Sequence, residues 1–87
     1  MRSGSQFTVK AKNTDAMIDA VTKGAKSAGY SMKGNKKSGS GINNDKDLLP
    51  FIEYEVQDQS SVKFSVGNGG VNLDTLERMV KKWAEGK

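Results

Sequence analysis

Phe7, Val9 and Ala11 alternate with Thr8, Lys10 and Lys12, the period of two that marks a strand buried on one face. This predicts a first strand over residues 6–12. Downstream the period changes. Met17, Ile18, Val21, Ala25 and Ala28 follow spacings of three and four, as one apolar face of a helix requires. Asn13 or Thr14 offers the side-chain oxygen that caps a first turn. Gly29 offers the left-handed residue that ends the helix, with Tyr30 placed to pack back on Ala25. Lys23 and Lys26 then fall on the wet face. Gly24, inside this helix, costs about 1 kcal/mol of helix propensity unless its missing side chain allows close approach to the sheet.

Alternation returns at Tyr30 and Met32, a short second strand that dissolves into Lys33-Gly34-Asn35-Lys36-Lys37-Ser38-Gly39-Ser40-Gly41. That stretch has no apolar residue to bury, so residues 33–47 are expected to form a flexible basic loop. From Leu49 the pattern resumes, with Ile52, Tyr54 and Val56 pointing one way and Phe51, Glu53 and Glu55 the other. A turn at 57–60 and the alternating Val62, Phe64 and Val66 complete a hairpin, with Lys63 expected across from Glu53 or Glu55. Gly67-Asn68-Gly69-Gly70 turns the chain into a last helix. Asn72 is its expected cap, with Val71 and Leu76 as a hydrophobic staple. Leu73, Leu76, Val80 and Trp83 form its apolar stripe, and Asp74 with Arg78 and Glu77 with Lys81 stand four apart in the favourable order.

The predicted architecture is α+β in the order β-α-β-β-β-α, a single mixed sheet with two helices packed on one face. A right-handed crossover through the first helix would make strands one and two parallel. The open face would show Thr8, Lys10, Lys12, Ser31, Glu53, Glu55, Lys63 and Ser65.

The 87 residues make one domain: residues 1–5 read as a disordered tag or arm and residues 6–87 as the folded unit. There is no cysteine, so the domain stands on apolar packing alone or gains stability by self-association. The composition fits a reducing compartment, and a cytoplasmic location is expected. No run approaches the eighteen apolar residues of a membrane span, so no membrane partner is expected.

Charge divides the chain unevenly. Residues 1–44 hold eight Lys or Arg against two acids, and residues 45–87 hold six against eight. Twelve of the fourteen cations are lysine, which favours phosphate-backbone contact over bidentate reading of bases.

Chemistry narrows the choice further. The chain has no histidine, which excludes imidazole catalysis and histidine metal sites. Glu53 and Glu55 share a strand face but read as solvated partners of Lys63 and the basic first strand. Asn43-Asn44-Asp45-Lys46-Asp47 has oxygen ligands at calcium-like spacing, yet lacks the twelfth-position glutamate and carries a lysine in its midst. Gly24-Ala25-Lys26-Ser27 lies inside a helix instead of before one, so it is no phosphate loop. Gly67 to Gly70 precede a helix whose amide dipole Asp74 already answers. No cofactor, metal or catalytic residue is expected.

The order of helix, three strands and helix after strand one is similar to the double-stranded-RNA-binding fold, and with strand one included to that of the ribosome-hibernation factors. The likeness is one of topology. Asn72-Leu73-Asp74 places an acid where the first family opens its second helix with lysines, and the chain is not assigned to it.

The sequence therefore leads to a non-enzymatic nucleic-acid-binding domain that contacts the DNA or RNA backbone with weak sequence selectivity. Its candidate residues are Lys10, Lys12, Lys23, Lys26, Lys33, Lys36 and Lys37, with Phe51 the one aromatic predicted outward. The alternative is a protein-interaction or inhibitory module, monomer or homodimer, that sets a strand edge, Phe51 and the loop against an acidic protein surface.

Overall fold

The computed structural model describes residues 4–45, 47, 49–67 and 73–85. Its elements are β1 (Gly4–Lys10), α1 (Thr14–Ser27), β2 (Ser31–Gly34), β3 (Ser38–Ile42), β4 (Phe51–Asp58), β5 (Ser61–Gly67) and α2 (Leu73–Glu85).

Helix α1 forms where the three-and-four pattern sets it, and its ends follow the expected chemistry. Asn13 Oδ1 accepts from the Ala16 amide at 3.1 Å. At the other end Gly29 has φ 100°; its amide donates to the Lys26 carbonyl and the Tyr30 amide donates to the Ala25 carbonyl, the paired bonds of a Schellman stop.

The sheet is five-stranded in the order β1-β5-β4-β3-β2, and each neighbouring pair runs antiparallel. Two expectations are corrected here. The sheet is antiparallel, not mixed, because β1 joins the edge beside β5 while β2 lies at the opposite edge; the expected parallel pair never meets. The segment read as a loop supplies a fifth strand, since Ser38–Ile42 pairs with Ser31–Gly34 on one side and with β4 on the other. Alternation could not reveal β3 because glycine stands where an apolar side chain would mark its inner face. A Cβ at Gly39 would meet the Tyr54 hydroxyl, and one at Gly41 would meet the Met32 sulfur.

Two boundaries also move. Gly4 and Ser5, assigned to an arm, open β1, and β1 ends at Lys10 instead of Lys12. Beyond it the Ala11 amide still reaches the Ser60 carbonyl at 2.8 Å. Lys63 stands opposite Glu55, one of its two expected partners.

One buried cluster unites residues of both helices with β4 and β5. Phe64, Ile52, Val21, Val62, Val66 and Val80 are its largest fully buried side chains, each worth about 1.5–3 kcal/mol on leaving water. Phe7, Val9 and Trp83 pack against it, partly buried.

The role of Gly24 is also corrected. The space it leaves is filled by α2, not by the sheet: a Cβ there would stand 2.5 Å from Cγ of Trp83. The tryptophan thus rests on α1 and makes a helix-to-helix seam, while also packing against the core cluster. On α2 the Glu77–Lys81 pair forms at 3.0 Å, while Asp74 and Arg78 form no ion pair. The expected turn at 68–70, the Asn72 cap, Val71 of the staple, the side chain of Leu73 and residues 1–3 lie outside the described residues.

Candidate nucleic-acid interface

The predicted site residues separate into groups once the chain folds. Lys26 from α1, with Lys33 and Lys36 from β2 and its turn, line one groove of about 320 Å³ between the helix and the sheet edge. Ile18, Met32 and Tyr54 form its apolar lining, and Asp15 and Asp19 stand on its helix side. Lys23 lies one turn along α1 and pairs with Asp19 at 3.2 Å. Lys36 pairs with Asp15 at 3.6 Å, and both side chains are more than half exposed. Lys37 belongs to the same turn and, like Lys33, enters no ion pair among the described residues. Lys12 precedes the Asn13 cap at the head of α1.

Short-range chemistry fixes the turn that carries Lys36 and Lys37. Asn35 Oδ1 accepts from the Lys37 amide at 2.7 Å and the Ser38 amide at 3.0 Å, and the Asn35 amide donates to the Ser38 carbonyl. The Tyr54 hydroxyl donates to the Asn35 carbonyl at 2.6 Å, passing the inner face of β3 where Gly39 has no side chain. Burial raises the Tyr54 phenol above its ordinary value, which keeps this donor protonated. The Val56 amide donates to the Lys37 carbonyl at 2.7 Å, so the β3–β4 ladder extends to the lysine itself. Residues 33–41 are therefore a pinned hairpin, whose backbone sets Lys33, Lys36 and Lys37 at a defined edge of the sheet.

Lys10 and Phe51 lie apart from this groove. Lys10 ends β1 at the opposite edge of the sheet, near Asp58, whose pKa is lowered chiefly by the Ser60 amide and least by Lys10. Phe51 opens β4, half-buried, between Ile42 and Gly67, at the end of the sheet away from the Lys36 turn. The face bearing Glu53, Glu55 and Lys63 forms a shallow polar depression of about 490 Å³ with Gln6 and the serines at 38, 40 and 65. It is mixed in sign.

Sequence reasoning missed the two aspartates, Asn35 and Tyr54 as parts of the groove. Asp15, Asp19, Lys23 and Lys26 stand four, four and three residues apart on α1, a spacing that carries the signal of one shared flank. Tyr54 carried none, because its pattern marks a core residue. Asn43 has a structural role: it is 3% exposed, its Nδ2 donates to the Ala28 carbonyl at 3.2 Å, and its Oδ1 accepts from the Asp45 amide. It thereby ties the loop after β3 to the end of α1.

The chain matches no family model and no curated protein. No helix among the described residues is long and apolar enough to cross a membrane.

Proposed function

We propose that this protein is a small non-enzymatic module that holds a nucleic-acid backbone along the flank formed by α1 and β2. The observation that carries the reading is the groove shared by Lys26, Lys33 and Lys36, one of them from the last turn of α1 and two from the hairpin that follows it. With Lys12, Lys23 and Lys37 beside it, the flank has six lysines against Asp15 and Asp19, leaving eight cations and eight acids in the rest of the chain. The flank's excess of four cations over acids equals the formal charge of the whole chain, +4. The Lys23–Asp19 and Lys36–Asp15 pairs are exposed and contribute about 0–1 kcal/mol each, so an arriving phosphate exchanges for the carboxylate at little cost. Lysine heads on flexible stems, with no arginine fork and no exposed aromatic row, suit backbone contact with weak sequence selectivity. The reading takes both helices to cover one face of the sheet, as the single buried cluster supports, and places the protein in a reducing, cytoplasmic setting.

The test is the salt dependence of duplex binding. Neutralising about four phosphates gives a log-log slope near −3.6, and Lys36→Glu with Lys37→Glu reduces it to about −1.8 while the melting temperature falls by no more than the loss of one exposed pair with Asp15 allows. Unaltered affinity in that variant removes the hairpin from the site. A binder with a shallow slope and no preference for polyanions points instead to an acidic protein partner. One observation favours that second reading: Ile42 is 45% exposed and stands beside Phe51 across β3 and β4.

A further inference from the structure

The free edge of β1 has the attributes of a self-pairing strand. β1 is an end strand that neighbours only β5, and it keeps continuous register with β5 over seven residues, from Gly4 opposite Gly67 to Lys10 opposite Ser61. An end strand directs every second amide and carbonyl outward, where they template another strand unless the edge is blunted. Along β1 there is no proline and no bulge, and its one charge, Lys10, is at its end, so among the described residues little blunts this edge. The helix-side residues Phe7 and Val9 are only partly buried, although Phe7 stacks on Phe64 at 5.7 Å and lies under the Lys81 ammonium at 5.1 Å. Apolar surface therefore remains at this edge after the monomer has folded.

We infer that β1 pairs antiparallel with β1 of a second copy of this chain about a two-fold axis at Phe7. The register is self-complementary. Gly4 meets Lys10 of the other copy, Ser5 meets Val9, Gln6 meets Thr8, and Phe7 meets Phe7, so no like charges oppose each other. The two Lys10 residues stand six positions apart, about 20 Å. The central pair is aromatic, a cross-strand contact that adds stability beyond backbone bonding. The alternative edge does not serve: β2 has four residues, ends at Gly34, and would bring Lys33, Lys36 and Lys37 towards their own copies. A foreign strand could use the same hydrogen bonds, but a single charge kept at the end of the strand, so that no like charges oppose each other, and an aromatic at its centre favour the second copy. The association also answers the thin margin of a small domain without disulfides.

The product is one ten-stranded sheet with its two α1–β2 flanks at opposite ends, nine strand spacings or about 43 Å apart. This inference goes beyond the polyanion reading and does not depend on it.

Sedimentation velocity over a concentration series tests it. The wild-type chain sediments with the mass of two copies. Gln6→Glu with Thr8→Glu sets like charges across both Gln6–Thr8 crossings and weakens the dimer about tenfold, while the acid at position 8 faces Lys63 of its own β5 and preserves the monomer fold. Gln6→Lys with Thr8→Lys has the same effect alone, and because its new charge at position 8 faces Lys63 of its own β5, its thermal melt is measured first to establish that it is folded. Mixing the two variants restores a dimer of one copy of each, a result that a folding defect cannot produce. A wild-type chain that remains single at every concentration overturns the inference. So does a Glu variant that dimerises as tightly as wild type, or a mixture that does not associate.

Discussion

β1 and β2 both end the sheet, but β1 runs seven residues in unbroken register while β2 runs four and stops at Gly34, where φ is 140°. At β1 alternate side chains pack towards α2: Ser5 donates its hydroxyl to Glu77 at 3.1 Å, and Phe7 lies between Phe64 and Lys81. At β2 the packing is made by absence, because Gly39 and Gly41 of β3 leave room for the Tyr54 hydroxyl and for Met32. Lysines follow at the turn. A short strand, glycine and clustered ammonium groups are the means by which a sheet edge resists pairing with another strand. The difference teaches that one edge is short and carries its lysines on a pinned turn, while the other is left regular. The two proposals assign a polyanion to the first and a second copy to the second.

The strongest way to break the comparison is to uncouple the two halves. Trp83 of α2 rests on Gly24 of α1, so Trp83→Ala costs about 3 kcal/mol, the lower end of large aromatic truncations because the ring is only partly buried. Gly24→Ala should destabilise the wild-type chain, yet stabilise the Trp83→Ala variant by restoring helix propensity. Thermal melts of the four chains check this cycle, and additive effects would show that the seam does not couple the helices.

A smaller effect sharpens the contrast between edges. Gly39→Ala places a methyl against the Tyr54 ring and the Lys33 carbonyl and costs about 1–3 kcal/mol, whereas Thr8→Ala on exposed β1 stays within about 0.5 kcal/mol. Amide exchange should quicken across Ser31–Ile42 in the first variant and leave β1 protected. Equal costs at the two positions would remove the claim that glycine builds only the β2 edge.

The smallest effect is electrostatic and belongs to the β1 side. The hydrogen bond from Lys81, then that from Ser5, hold the Glu77 carboxyl below its ordinary value. A depressed carboxylate contributes stability that is present above its unfolded pKa and lost as pH falls through the lower, folded one. The pair, with Lys81 exposed and Glu77 partly buried, has i,i+4 spacing and is worth about 0.3–0.5 kcal/mol. Wild type should therefore melt slightly above Glu77→Gln near neutrality, with the gap closing in acid. A gap that persists at acid pH would assign the effect to packing.

The sequence carried both helices, the caps of α1 and the inward residues of β1, β4 and β5, because each depends on neighbours a few positions away. Asn13 can reach only its own first turn, and Val62, Phe64 and Val66 must share a face whatever lies beside them. It did not carry β3, whose glycines fit against side chains from other elements, nor the role of the Tyr54 hydroxyl, which serves a turn nineteen residues away. Of the candidate lysines, the shared flank of Lys26, Lys33 and Lys36 was legible only as composition, and Lys10 separated from it once β1 took the far edge.

Periodicity reports which side chains must leave water, and that requirement fixed the two helices and the buried faces of three strands from sequence alone. Strand order, the second hairpin and the company each charge keeps were decided by the tertiary structure, because antiparallel pairing links distant residues whose fit depends on shape and on absent side chains as much as on hydrophobicity.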